Sequence, residues 1–325
     1  MNHHSHTRRN FLKTVSVLGA VGAAGCAQTG TSQGGATMKT AYNPSAKFEV
    51  NVSEVEFRRT AKGRQLMARI YQPQGAGPFP VVLDLHGGAW NAKNRMAEQP
   101  MNRALAASGI LVVAIDLTLA AEAPYPACVQ DANYGVRWLK WKAPSLNGDP
   151  TTIGIYGSSS GGHAAELLGM RPKDPRYGAI PLPEAPNLDA TIAYVATRSP
   201  ISNTFARYQN ALDKKRDSMI KNNTNFFNPI ESIHEANPQE ILDRHEQVTL
   251  LPLLVMQGAL DDNVLPPVQE KFVNSYRAAG GDVSFTVFEG SVHEWTADPG
   301  PQTTRAQEMV KAFIAKQLAA GRRVG

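Results

Sequence analysis

Cysteine is nearly absent from this chain of 325 residues: there are 2, Cys26 and Cys128. So few exclude a disulfide-dense scaffold. With Cys26 assigned to another role below, Cys128 has no partner, and stability must come from a buried core. No Cys/His spacing has a metal-binding pattern, and no glycine-rich dinucleotide pattern occurs. The expected protein therefore holds no metal and no organic cofactor. His3, His4 and His6 are a superficial exception, set aside because they fall in an apparent leader. Charge of one sign is lacking too. Lys and Arg number 33 against 28 Asp and Glu, and Arg8, Arg9 and Lys13 account for three of the five net positive charges. The remainder is mixed in sign, which is no footprint for nucleic acid. No internal repeat and no second core-sized segment is visible, so one domain is expected over residues 47–325.

What is present is alternation. Residues 48–57 and 65–71 are expected to pair as antiparallel strands around a turn at 61–64. Strands at 81–85, 110–117, 153–156, 191–196, 253–257 and 283–288 then alternate with helices at 96–107, 127–141, 162–170, 267–279 and 303–318. This order predicts an α/β fold, a mostly parallel sheet with helices on both faces and ligands at the carboxyl ends of the strands. A polar excursion at 197–249 interrupts it, with helices expected at 205–222 and 238–247. A connection of that length reads as a functional insertion, a helical cap. Within it, Phe226 and Phe227 either line an acyl pocket or anchor the cap to the core.

Four segments carry chemistry, each just past a predicted strand. Gly157-Ser158-Ser159-Ser160-Gly161 follows the strand at 153–156 and opens a helix. A serine on such a turn projects its hydroxyl from the sheet, and the helix N-terminus favours developing negative charge. Ser159, the central residue, is the candidate nucleophile. His86-Gly87-Gly88-Ala89-Trp90 follows the strand at 81–85. Its glycines let backbone N–H groups face a bound oxygen, so Gly87 and Gly88, with the N–H of Ser160, are the expected oxyanion donors. His86 is read as holding that loop in shape. Gly258-Ala259-Leu260-Asp261-Asp262-Asn263 supplies two acids, and Glu289-Gly290-Ser291-Val292-His293 supplies the base. The chain order serine, acid, histidine is that of an α/β-hydrolase triad. Trp90 and Trp295 are bulky neighbours that border the substrate pocket or pack the core.

Over roughly residues 48–318 the chain resembles the α/β-hydrolase superfamily, in particular its esterase branch with an HGG-type loop. The run from Asp116 to Pro126 and the later Asp131 are similar to a segment of hormone-sensitive-lipase-like esterases. HGG followed by another residue and tryptophan also occurs in kynurenine-formamidase-like and feruloyl/acetyl-xylan-esterase-like members. The acid turn resembles that of prolyl-oligopeptidase-type hydrolases, in which the acid three residues past the glycine belongs to the triad. The resemblance thus implies Asp261 rather than Asp262. It also implies an α/β-hydrolase fold and two-step hydrolysis of a small-molecule ester, with short acyl or small aryl esters expected. Aryl formamide or amide hydrolysis and a small peptidase use the same residues. A surface-tethered binding protein is the alternative outside enzymes.

The first 25 residues read as an export leader. Thr7-Arg8-Arg9-Asn10-Phe11-Leu12-Lys13 is a twin-arginine signature, and the apolar stretch after it is too short and glycine-rich for a membrane span. Ala23-Ala24-Gly25-Cys26 resembles a lipoprotein processing site with Cys26 lipidated, and residues 26–46 read as a flexible tether. The protein is therefore expected in the periplasm, membrane-associated only through that anchor. Replacing Arg8 and Arg9 together by lysine should retain it in the cytoplasm, as read by cell fractionation. Intact mass of the exported form should show a modified Cys26 at the N-terminus, and an unmodified Cys26 refutes the anchor.

Overall fold

The computed structural model describes residues 42–324; the twin-arginine segment, Cys26 and the tether up to residue 41 lie outside them. Eight strands form one sheet among the described residues: β1 Val50–Arg59, β2 Gln65–Pro73, β3 Val81–Leu85, β4 Leu111–Ile115, β5 Gly154–Ser158, β6 Val195–Arg198, β7 Leu253–Gly258 and β8 Val283–Phe288. The helices are α1 Gln99–Ala107, α2 Ala127–Lys142, α3 Ser160–Met170, α4 Thr204–Asp213, α5 Asp217–Phe226, α6 Ser232–Glu235, α7 Pro238–Asp243, α8 Pro266–Ala278 and α9 Pro301–Ala319. Strand order is β1-β2-β4-β3-β5-β6-β7-β8. β1 and β2 join antiparallel, β2 joins β4 antiparallel, and every later pairing is parallel.

Side-chain alternation explains why helices cover both faces. Leu83, Leu85, Val113, Ile115 and Ile155 share one cluster with Val129, Val136 and Leu168 of α2 and α3. Their sequence neighbours Val82, Val112, Ala114 and Tyr156 point the other way, into a cluster with Leu105 of α1 and Val310 and Ile314 of α9. Every residue of β3, β4, β5 and β7 is buried, which is why those strands read as unbroken apolar runs. The edge strand β8 is buried only at its ends.

Several boundaries differ from expectation. α1 begins at Gln99 rather than 96, because Pro100 fits only its first turn. β6 begins at Val195 rather than 191; Thr191 instead folds back on Asp189, accepting from Lys140 as it does so. The single helix expected at 205–222 is two, α4 and α5. Lys215 turns the chain at φ 51, and no glycine or proline marks the break. The helix expected at 238–247 ends at Asp243, with His245 at φ 53. Helices α4 to α7 all lie between β6 and β7, the place of the excursion.

Behind the site, α3 buries a carboxyl group. Glu166 Oε1 accepts from Ser202 Oγ at 2.9 Å, and Ser202 Oγ accepts from Gln269 Nε2 at 2.8 Å. Burial pushes Glu166 up to about 8 from an ordinary 4.5. The folded protein then keeps a proton that the unfolded chain releases within this window. Stability contributed by the neutral group is therefore full below pH 4.5 and falls as pH rises toward 8. Relative to Glu166→Gln, wild-type protein should lose roughly 3 kcal/mol between pH 5.5 and 8.5. Denaturant midpoints at the two pH values check this, and parallel pH dependence in both proteins refutes it.

Candidate active site

The turn between β5 and α3 is tight because three backbone segments converge there. A Cβ on Gly157 would lie 2.6 Å from Gly161 O, and one on Gly161 would lie 2.0 Å from Leu85 O. Both contacts are with backbone, so only glycine fits. Between them Ser159 sits at φ 50 and ψ −116, a conformation costing a non-glycine residue about 1–3 kcal/mol. Backbone bonds over-determine it. Ser159 N donates to Arg198 O at 2.9 Å, and Ser159 O accepts from His163 N at 3.0 Å and Ile201 N at 3.2 Å. The result is a serine that is 5% exposed, at the carboxyl end of the central strand.

Ser159, Asp261 and His293 meet. His293 Nε2 is 2.9 Å from Ser159 Oγ, and His293 Nδ1 is 2.8 Å from Asp261 Oδ2. The second contact fixes the tautomer, with Nδ1–H donating to the carboxylate and Nε2 free to accept the serine proton. Asp261 Oδ2 also accepts from Gln257 Nε2 at 3.0 Å, and Oδ1 from the N–H groups of Asn263 at 3.0 Å and Val264 at 2.8 Å. Burial pushes this carboxyl up, but the His293 bond and charge with the backbone N–H of Val264 outweigh it and hold the group below its ordinary 3.8.

The competing residues have other partners. Asp262, 71% exposed, pairs with Arg216 at 2.7 Å. Ser158 Oγ donates to Glu98 at 2.6 Å, and Ser160 Oγ accepts from Trp90 N at 3.1 Å. Glu294 pairs with Lys93, and His234 lies against Glu240 in the cap. His163 is buried behind the turn; Trp90 Nε1 donates to its Nδ1 at 3.2 Å and its Nε2–H donates to Ala236 O at 2.7 Å. Burial drops it to about 4, so it stays neutral.

The HGG loop passes directly beside Ser159. A Cβ on Gly87 would lie 3.2 Å from Ser159 Cβ. Gly88 has φ 106, and a Cβ there would lie 2.2 Å from Ala92 O. His86 Nδ1–H donates to Gly87 O at 2.7 Å, and Nε2 accepts from Leu117 N at 3.3 Å. It ties the loop to the end of β4. Among the described residues, the backbone N–H groups of Gly87, Gly88 and Ser160 donate to no protein group. The N–H of Ala89 is also unengaged, a donor that its lack of glycine character hid from sequence reasoning.

The aromatic residues need correction as pocket walls. Phe226 and Phe227 are fully buried and Trp90 is 4% exposed. Trp90 and Phe226 stack in parallel with centroids 4.5 Å apart, and Phe227 meets Trp90 edge-on at 5.3 Å. Together they clamp the cap to the HGG loop, because large rings at a loop junction gain most by burying each other. Trp295 is half-buried against Phe288 at 5.0 Å, beneath the Arg198 guanidinium.

Sequence reasoning missed the polar groups that tie these loops together. Arg207 of α4 is buried, lies over the Trp90 ring at 5.7 Å and donates through Nε to Asn263 Oδ1 at 2.8 Å. Arg216 donates to the carbonyl of Asp262 at 2.8 Å. Glu98 and Arg198 form a buried pair at 3.0 Å. None of these residues carries a local spacing signal.

Comparison with known proteins agrees with the fold. The model of the BD-FAE family matches residues 69–275. Carboxylesterase NlhH of Mycobacterium tuberculosis is 35% identical over 116 residues, which is 35% of this chain and 36% of that protein. The probable carboxylic ester hydrolase LipM of the same organism is 28% identical over 210 residues, 62% of this chain and 46% of its own. The chain thus spans less than half the length of either relative. Among solved structures, propionate-bound esterase 2 of Thermogutta terrifontis superposes with TM-score 0.64 at 20% identity, covering 83% of this chain and 94% of its own. Esterase B of Lactobacillus rhamnosis superposes with TM-score 0.70 at 18% identity, over 85% and 92%. The shared fold is the α/β-hydrolase fold.

Asp261→Asn should lower kcat by about 10⁴-fold, since the amide cannot balance an imidazolium and selects the wrong tautomer. Asp262→Asn should leave kcat within about threefold, because an exposed pair contributes little. Side-by-side kcat values decide, and the reverse ranking refutes the assignment.

Proposed function

The chain belongs to the BD-FAE family, and on that premise we propose that it is a serine carboxylic-ester hydrolase acting on short acyl or small aryl esters. The observation that carries the proposal is the unbroken path from Ser159 Oγ through His293 to Asp261, at 2.9 and 2.8 Å. His293 Nε2 takes the Ser159 proton as the hydroxyl oxygen attacks the ester carbonyl. The tetrahedral oxyanion is received by N–H groups of Gly87, Gly88 and Ser160, each such donor contributing about 3–4 kcal/mol to acyl transfer. Asp261 stabilises the imidazolium, which returns the proton to the leaving alcohol. Water then attacks the acyl-serine by the same route and frees the acid.

Two features favour small substrates. The aromatic residues nearest the HGG loop pack against one another across the cap and so offer no apolar face to a long chain. Esterase 2 of Thermogutta terrifontis, which shares the fold, has been solved with propionate and with butyrate. Export by the twin-arginine route, supported by Arg8 and Arg9, belongs to the same proposal.

A panel of p-nitrophenyl acetate, butyrate, octanoate and palmitate, with an aryl formamide, tests the reading. kcat/KM should peak at acetate or butyrate and fall by at least about tenfold at palmitate. Ser159→Ala should abolish turnover by about 10⁴-fold or more while the fold persists. A maximum at palmitate, formamide turnover above every ester, or a competent Ser159→Ala protein overturns it.

A further inference from the structure

Beneath the site lies an ion pair that the acyl-transfer scheme does not use. Glu98, at the start of α1, and Arg198, the last residue of β6, are 4% and 2% exposed. Burying such a pair is costly, and well-packed apolar residues of similar size would serve stability as well or better. Its presence is explained by what its atoms hold. Glu98 Oε1 accepts from Ser158 Oγ at 2.6 Å and from Arg198 Nη2 at 3.0 Å. Arg198 Nη1 donates to the backbone carbonyl of His293 at 2.5 Å, and its guanidinium lies 5.8 Å from the Trp295 ring centre. One carboxylate thus links the residue before the nucleophile to the backbone of the base.

The segment carrying His293 needs such support. It lies between β8 and a short 3-10 turn at Trp295–Ala297, outside helix and strand. Val292 is 55% exposed, and Glu294 is held by Lys93 at the surface. Neighbouring backbone bonds join Leu260 N to Ser291 O and Ala297 N to Glu294 O, so they bracket His293 without holding its own carbonyl. The fork of Arg198 does that. A guanidinium can grip a carboxylate and a carbonyl at once in fixed geometry, which an ammonium cannot. Misplacement of a base by about 1 Å can cost roughly a hundredfold in rate.

We infer that Glu98 and Arg198 are positioning residues that set the distance between the His293 imidazole and Ser159, a role that rests on the serine-hydrolase reading above. They touch neither substrate nor the reacting atoms. Their effect therefore falls on proton transfer and leaves ester binding alone.

The test is the double variant Glu98→Met with Arg198→Met, which removes both charges and keeps the volume. The expected result is a melting temperature at or above that of wild type, KM for p-nitrophenyl butyrate within about twofold, and kcat lowered by roughly 10²-fold. Arg198→Lys, which keeps the charge but cannot span both acceptors, should lower kcat by about tenfold or more with KM likewise unchanged. It carries the test should the double variant fail to fold. Wild-type kcat in a folded variant overturns the inference, as does a loss carried by KM. A second readout needs no turnover: the low-field proton resonance of the His293–Asp261 bond should be present in wild type and broadened or lost in the variants. An unchanged resonance refutes the inference. Absence of any ester turnover by wild type fails the hydrolase reading instead and leaves this resonance to decide the positioning role.

Discussion

The structure depends on one close approach, that of the Leu85 carbonyl oxygen to Gly161 at the start of α3. Nothing larger than hydrogen fits between them. Because β3 and β5 are adjacent in the sheet, this contact brings the end of β3 against the first turn of the helix that follows Ser159. The HGG loop leaves β3 at that point and has no other course than past Ser159. The HGG loop and Ser159, from distant parts of the chain, are thus brought together by the sheet itself. The strained backbone of Ser159 is tolerated because β6, α3 and the residues after β6 each bond it.

Parts of this were legible from sequence because their physical cause is local. Gly157 was legible because the crowding it relieves, against the Gly161 carbonyl, is within the turn; the reason for Gly161, the Leu85 carbonyl of β3, shows only in three dimensions. The apolar runs of β3 and β4 announced burial on both faces. Asp261 was separable from Asp262 only through family resemblance, as both acids have the same local context. Their difference lies in three dimensions: Asp261 turns in to His293, Asp262 turns out to Arg216. The break at Lys215 was illegible, because a lysine at positive φ has no compositional mark. Glu98, Arg198 and Arg207 were illegible for a deeper reason. Their partners are remote in sequence, and a charged residue with no spacing pattern reads as surface.

The two buried arginines near the site answer the same electrostatic demand differently. Arg198 has a carboxylate partner in contact and holds its proton more firmly than an ordinary arginine; burial opposes this, but the charge of Glu98 prevails. Arg207 has an amide oxygen and an aromatic face instead, and burial lowers it to about 10. It remains charged at neutral pH. The cap therefore contributes a positive charge beside the turn of Asp261, which favours the ionised state of that carboxyl.

The stack of Trp90 on Phe226 and Phe227 has a consequence for traffic through the site. Each ring buries on the order of 150–250 Å², so prising the cap from the HGG loop would expose apolar surface at a cost on the order of 10 kcal/mol. At equilibrium the lifted form is then populated in only about one molecule in 10⁷, so the seated cap is the resting state. Since Trp90 follows Gly87 and Gly88 closely in the HGG loop, lifting the cap would also disturb their backbone N–H groups. In that resting state, traffic to and from Ser159 passes around the cap. The clamp that seats the cap therefore also stiffens the HGG loop beside Ser159.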